Sequence, residues 1–195
     1  QSRCIWKPKG TFRREEGTFW FSDTPAIPGS KGWGNIIPQT CTWARLIEKD
    51  SGQAFYFYNV HLDHISRRSR RNSVVFLTQF IHTRSIPDPF VLTGDFNARE
   101  KSTAIQYLKG KIPLRIKTNG NVFNPEPLID TFRVRYPNDR NIATFHGFRR
   151  FFFRFKLDYI FVPSSVRVQA AKIIQPRWKK CYPSDHFPLF THIDL

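Results

Sequence analysis

Residues 54–62 read AFYFYNVHL, residues 67–81 read RRSRRNSVVFLTQFI and residues 90–93 read FVLT. The first and last are short aromatic or aliphatic runs bounded by turn residues, the pattern of strands. Between them Val74, Leu77, Phe80 and Ile81 recur at three- and four-residue spacing, which gives a helix one apolar stripe. Ser66 is placed to cap that helix, and Pro87 and Pro89 break the chain before the next strand. Upstream, residues 40–47 alternate, with Cys41, Trp43 and Ile47 on one side. The turn signal Asp50-Ser51-Gly52 joins them to residues 54–62 as a hairpin. Residues 17–21 (GTFWF) are strand-like, whereas the Arg/Glu stretch before them shows no strand pattern. Residues 25–34, rich in Pro and Gly, form a loop. Downstream, a weaker helix is expected over 102–108 and an exposed loop over 110–127. Strands are expected over 156–162, 166–174 and 187–193. Many strands with few helices predict an α+β fold, two β-sheets packed face to face and flanked by helices.

The chain has 195 residues, 40% hydrophobic and 16% aromatic, which excludes a disordered or collagen-like protein and suits one domain over 1–195. No apolar run reaches the ~18 residues of a membrane-spanning helix, and the compartment is left open. Cys4, Cys41 and Cys181 are far apart and form no C-x-x-C, so a zinc ribbon or thioredoxin-type site is excluded. Cys41 reads as a small buried apolar residue. The chain starts at Gln1 and has no Met, so a fragment or a chain that has lost a leader is expected. Against 31 Lys+Arg stand 15 Asp+Glu, a net charge of +16. That exceeds the roughly 2–8 units solubility calls for and points to a polyanionic partner: nucleic acid, an anionic membrane or a phosphorylated small molecule.

Four polar clusters stand at the ends of apolar strands: Asn59 to His64, Gly94 to Asn97, Lys156 to Tyr159, and Ser184 to His186. Strand ends meet at one rim of a sandwich, so these groups can converge although distant in sequence. Carboxylates and amides are hard oxygen ligands suited to Mg²⁺ or Mn²⁺, and histidines move protons near neutral pH. Each cluster alone has a local explanation; Asp95 and Asn97, for instance, suit an Asx turn. Together, on so basic a chain, they point to metal-assisted hydrolysis of a phosphoester.

The motifs NVHLDH at 59–64, GDFNA at 94–98, TFHGF at 144–148, KLDYIFV at 156–162 and SDHFP at 184–188 resemble the endonuclease/exonuclease/phosphatase superfamily, also called deoxyribonuclease I-like. GTFWFSDTP at 17–25 and CTWARL at 41–46 look like its small bacterial hydrolases. The resemblance implies a two-sheet sandwich with the active site at one rim. It implies that Asp95 positions or activates the attacking water, with Asn97 holding the phosphate or metal. His186, oriented by Asp158, would contact the phosphate and assist proton transfer, and His61 would add a phosphate contact. Asp185, with Asp95 and Asn97, would bind Mg²⁺ or Mn²⁺. Arg70 and Arg71 of the basic run, and His146 of TFHGF, are expected to contact substrate.

There are departures. The family carries an Asn and a metal-binding Glu on strands before the segment matching GTFW, yet only 16 residues precede it here. Glu15 and Glu16 are not assigned that role. The first strands of one sheet are therefore expected to be missing, and a missing N-terminal segment or partner chain is expected to complete it. Gln39 and Lys156 stand where close relatives would carry Arg, and RRFFFRF at 149–155 replaces a small Gly-rich turn. The expected function is a metal-dependent phosphodiesterase acting on nucleic acid, supported by basic runs at 67–71, 149–156 and 177–180. The alternatives are a phosphatase or phospholipase-type hydrolase, or a non-catalytic nucleic-acid-binding remnant.

Overall fold

The computed structural model describes residues 11–116, 120–148, 155–175 and 182–195, with side chains from residue 15 onward. Its main sheet has six strands in the order β1 (Thr11–Trp20), β2 (Thr40–Glu48), β3 (Ala54–His61), β4 (Phe90–Asp95), β8 (Asp158–Pro163) and β7 (Leu128–Asp130). Antiparallel pairing joins all neighbours except β3 and β4, which run parallel through the crossover helix α1 (Arg67–His82). Ser66 caps α1, its hydroxyl accepting the Ser69 N–H. The remaining elements are α2 (Thr103–Leu108), the short pair β5 (Leu114–Ile116) and β6 (Gly120–Val122), α3 (Thr131–Arg135), and the antiparallel pair β9 (Arg167–Ile173) and β10 (Leu189–Asp194).

The period of two along each strand divides the core between the two faces of the sheet. Tyr56, Tyr58 and Val60 of β3 face α1 and α2 and are buried with Val74, Leu77, Ile81, Tyr107 and Leu108. On the opposite face Phe57, Val91, Ile160 and Val162 pack against Val168 of β9 and Ile193 of β10. The chain has the mixed α/β, mostly sheet architecture expected, with helices outside and a second layer that among the described residues has two strands. Cys41 is fully buried, whereas Cys4 and Cys181 lie outside the described residues.

Two expectations need correction. The Arg/Glu stretch before residue 17 is strand: β1 begins at Thr11 and contains Glu15 and Glu16, with a register shift between Arg13 and Glu15. An edge strand is held by backbone pairing on one side, so it need not alternate in polarity. The 110–127 stretch is not all loop, because β5 and β6 pair within it.

Gly94 is fixed by geometry: its φ is +138° and an added Cβ would lie 1.9 Å from the Val60 carbonyl oxygen. Gly94→Ala is expected to cost about 3 kcal/mol or more, since overpacking and backbone strain each cost about 1–3 kcal/mol. Thermal unfolding reads this; a melting temperature equal to the parent's would show that β3 and β4 can separate without loss.

Candidate active site

Strand register builds the site. Thr40 of β2 pairs with His61 of β3, His61 with Asp95 of β4, and Asp95 with Asp158 of β8. Residues in register on neighbouring strands point to the same face, so these side chains form a row at the rim. It is the face of the second layer: Phe57, Asn59 and His61 follow one another on β3, and Val91, Thr93 and Asp95 on β4. Apolar packing at depth gives way to the Thr93–Asn59 hydrogen bond at 3.2 Å and then to ionisable groups.

His186 joins the row from the segment before β10. Its Nδ1 lies 2.7 Å from Asp158 Oδ2, and its Nε2 lies 3.9 Å from Asp95 Oδ2. His61 Nε2 stands on the other side of Asp95 at 3.6 Å and is exposed to solvent. Asn97, at φ +47°, folds back so that its N–H donates to Asp95 Oδ1 at 2.8 Å. The Asn97 side-chain amide donates to Leu62 O at 2.8 Å and to Asp95 Oδ2 at 3.2 Å. The Asx turn thus exists, and it orients the Asp95 carboxylate.

The electrostatics follow from crowding. Burial and the neighbouring Asp158 charge push the Asp95 carboxyl above the usual carboxylate range. The hydrogen bond to Asp158 pushes the His186 imidazole up, although burial opposes it. Nδ1–H donating to Asp158 leaves Nε2 as the nitrogen aimed toward Asp95. Ligand atoms of Asp95, Asp158 and His186 lie within 4.8 Å of one another. Two carboxylates competing for one small space, with Asn97 beside them, are a donor set that a hard divalent cation fits, because its charge relieves their repulsion.

Other expected residues are not part of that cluster. The Asp185 carboxylate is not among those mutually close groups; its backbone carbonyl accepts the N–H groups of His146 and Gly147. The His146 ring is buried 4.3 Å from both Tyr182 and Phe187, inside the domain and out of reach of a substrate at the surface. Arg70 donates to Asp63 O at 2.6 Å and Arg71 to Arg115 O at 2.8 Å, so the first guanidinium ties the preceding loop, and the second ties β5, to α1. Of the basic runs, Lys156 is buried, while 149–154 and 177–180 lie outside the described residues. The RRFFFRF departure falls almost wholly there too.

Sequence reasoning missed Thr144. Its hydroxyl accepts the N–H groups of Leu157 at 2.9 Å and Asp158 at 3.0 Å, and its carbonyl accepts the Phe187 N–H at 2.6 Å. Phe145 bridges to both Phe155 and His186. The TFHGF segment therefore stitches the strand carrying Asp158 to the segment carrying His186. A buried threonine's bonds to distant backbone leave no periodic trace in sequence. Also missed was a buried ionic cluster behind the rim: Lys156 pairs with Asp130 and stands 3.6 Å from Glu100, which Arg133 grips at 2.7 and 2.8 Å.

The sequence profile of the Endonuclease/Exonuclease/phosphatase family matches residues 4–186. The chain belongs to that family. Among solved structures of the Endonuclease/Exonuclease/phosphatase fold it is similar to the mannosyl-6-phosphatase of Bacteroides thetaiotaomicron, with 28% identity and a TM-score of 0.77 over 97% of this chain and 69% of that one. An endonuclease/exonuclease/phosphatase from Bacteroides vulgatus gives 27% identity and a TM-score of 0.80 over 97% of this chain and 68% of that one. An uncharacterized protein of Acanthamoeba polyphaga mimivirus is 35% identical over 100 residues, 49% of this chain and 37% of that protein. The chain thus matches little more than a third of that curated relative's length.

Proposed function

We propose that this protein hydrolyses a phosphoester at the β3–β4–β8 rim with the help of a divalent cation, Mg²⁺ or Mn²⁺. The observation that supports this reading best is the Asp158–His186 pair at 2.7 Å, with Asp95 3.9 Å from the far nitrogen of the imidazole. Asp158 fixes the tautomer and the ring plane, so His186 Nε2 can contact a phosphate oxygen or pass a proton. Asp95, with its carboxyl pushed up, is suited to take a proton from the attacking water. Asn97 holds Asp95, and exposed His61 supplies a donor to the phosphate. Asp95 and Asp158, with Asn97 beside them, would hold the cation, which when bound offsets the negative charge that grows in the transition state.

The net charge of +16 favours a polyanionic substrate, nucleic acid first. A phosphomonoester is the second reading, because the Bacteroides thetaiotaomicron relative is a mannosyl-6-phosphatase. Assays with DNA, RNA and a small phosphomonoester, each with added Mg²⁺ or Mn²⁺, decide between them. Chelation with EDTA is expected to drop hydrolysis to background, and Mg²⁺ or Mn²⁺ to restore it. Undiminished turnover after thorough chelation would remove the metal from the reading.

A further inference from the structure

The loop joining β1 to β2 lies at the same rim, since Trp20 pairs with Thr40 and Thr40 with His61. It is a folded unit. The hydroxyls of Ser22 and Ser30 meet at 2.7 Å, Asn35 Nδ2 donates to Phe21 O at 3.3 Å, and Trp33 Nε1 donates to Asp23 Oδ1 at 2.9 Å. Ser66 Oγ donates to Trp33 O at 3.3 Å, which sets the loop against the start of α1. Beside that junction Ile65 is 59% exposed, Ile36 64% and Ile37 55%. More than half of each side chain is open to solvent, and exposed isoleucines grouped on ordered loops mark a contact surface.

The charge around them is mainly positive. Lys31, Arg67 and Arg68 are exposed, and residues 24–47 include no Asp or Glu. Against these cations stand two acids, Asp23, exposed and accepting the Trp33 indole, and Asp63, buried and accepting the Ile65 N–H at 2.8 Å. Arg67 and Arg68 open α1, whose first turn has no acidic residue. A helix start disfavours cations, so helix stability does not account for them.

We propose that this surface docks the protein on an anionic lipid bilayer, with Ile36, Ile37 and Ile65 among the acyl chains and Lys31, Arg67 and Arg68 against the headgroups. Bases stack on aromatic rings, and the exposed apolar groups here, Ile36, Ile37 and Ile65, are aliphatic while Trp33 is half-buried, so an oligonucleotide would meet the cations and leave the isoleucines in water. This docking uses the loop and the start of α1 and involves no membrane-spanning helix; no helix among the described residues is long and apolar enough to be one. Docking stands independently of hydrolysis and also places the catalytic row next to the lipid surface.

Sedimentation with vesicles tests it. The protein should pellet with vesicles of phosphatidylcholine plus phosphatidylserine and much less with phosphatidylcholine alone. Ile36→Ser/Ile37→Ser and Arg67→Glu/Arg68→Glu should each weaken vesicle binding about tenfold or more. Ile36→Leu/Ile37→Leu should keep it, which separates loss of apolar contact from loss of fold. Three results would overturn the proposal: a parent protein that stays in solution, a serine variant that binds as the parent does, or a single-stranded oligonucleotide whose binding the serine variant weakens equally. Because the readout is binding, a catalytically silent protein still answers the question.

Discussion

His186→Ala is expected to lower turnover of a phosphoester by about 100- to 10,000-fold, the range for a positioned acid–base group, and Asp95→Ala to do the same. The two face each other across 3.9 Å with Asp158 behind the imidazole, so their losses should not add. The double variant should be nearly as active as the worse single one. Asp158→Asn should retain the ring but not its orientation, and should fall between them and the parent. Single-turnover rates beside circular dichroism of each variant are the measurement. Rates close to the parent's in both alanine variants would take catalysis away from this rim.

The second large effect falls on stability. Asp130 and Lys156 are buried with side chains 1% exposed, and Asp130 also accepts the Phe132 N–H at 3.2 Å as the cap of α3. Asp130→Ala leaves the Lys156 ammonium buried beside Glu100 and Tyr159, with 3.6 Å and 4.2 Å contacts in place of its main partner. Removing one member of a buried pair costs about 3–5 kcal/mol. Lys156→Met on top of it should restore much of that, because no charge then stays buried. Burial already holds the Lys156 ammonium below the usual lysine range, against the pull of Asp130. Without Asp130 it is held lower still. Between the folded and unfolded values the unfolded chain binds more protons, so stability there rises with pH. The deficit of Asp130→Ala should therefore shrink as pH climbs from the variant's folded Lys156 value to the parent's, and level off above it, where both proteins gain alike. A urea melt of Asp130→Ala within about 1 kcal/mol of the parent would show that the cluster is solvated in solution.

What was legible in sequence follows from how each feature is encoded. Helix α1 and strands β2, β3 and β4 carry their burial in their own periodicity, and Ser66 caps α1 through local bonds, so a window of residues suffices. The rim was legible for a related reason: His61, Asp95 and Asp158 interrupt apolar strands where they leave the core. Strand β1 was only half legible, because its first residues are held by backbone pairing with β2 rather than by an apolar face. Lys156 with Asp130, and Thr144 with Asp158, were not legible, since neither partner's neighbourhood specifies the other. Arg70, Arg71 and His146 show the converse. Their residue types suggested contact with an anion, while the bonds of the two arginines to carbonyl oxygens and the packing of His146 among aromatic rings were not readable from their own neighbourhoods.

The strand order has a kinetic consequence. Positions 61 and 95 come together once α1 closes the parallel pair, a crossover of modest length. Positions 158 and 186 reach them only after β8 inserts against β4 and the segment before β10 crosses to the same rim. Each of those steps closes a long loop and loses chain entropy before any contact offsets it. An early species with α1 docked on β2, β3 and β4 would hold native packing on the helix face and still lack His186 and Asp158. The candidate site is therefore expected to be completed late in folding, and its polar rim would be a marker that the whole sheet has assembled.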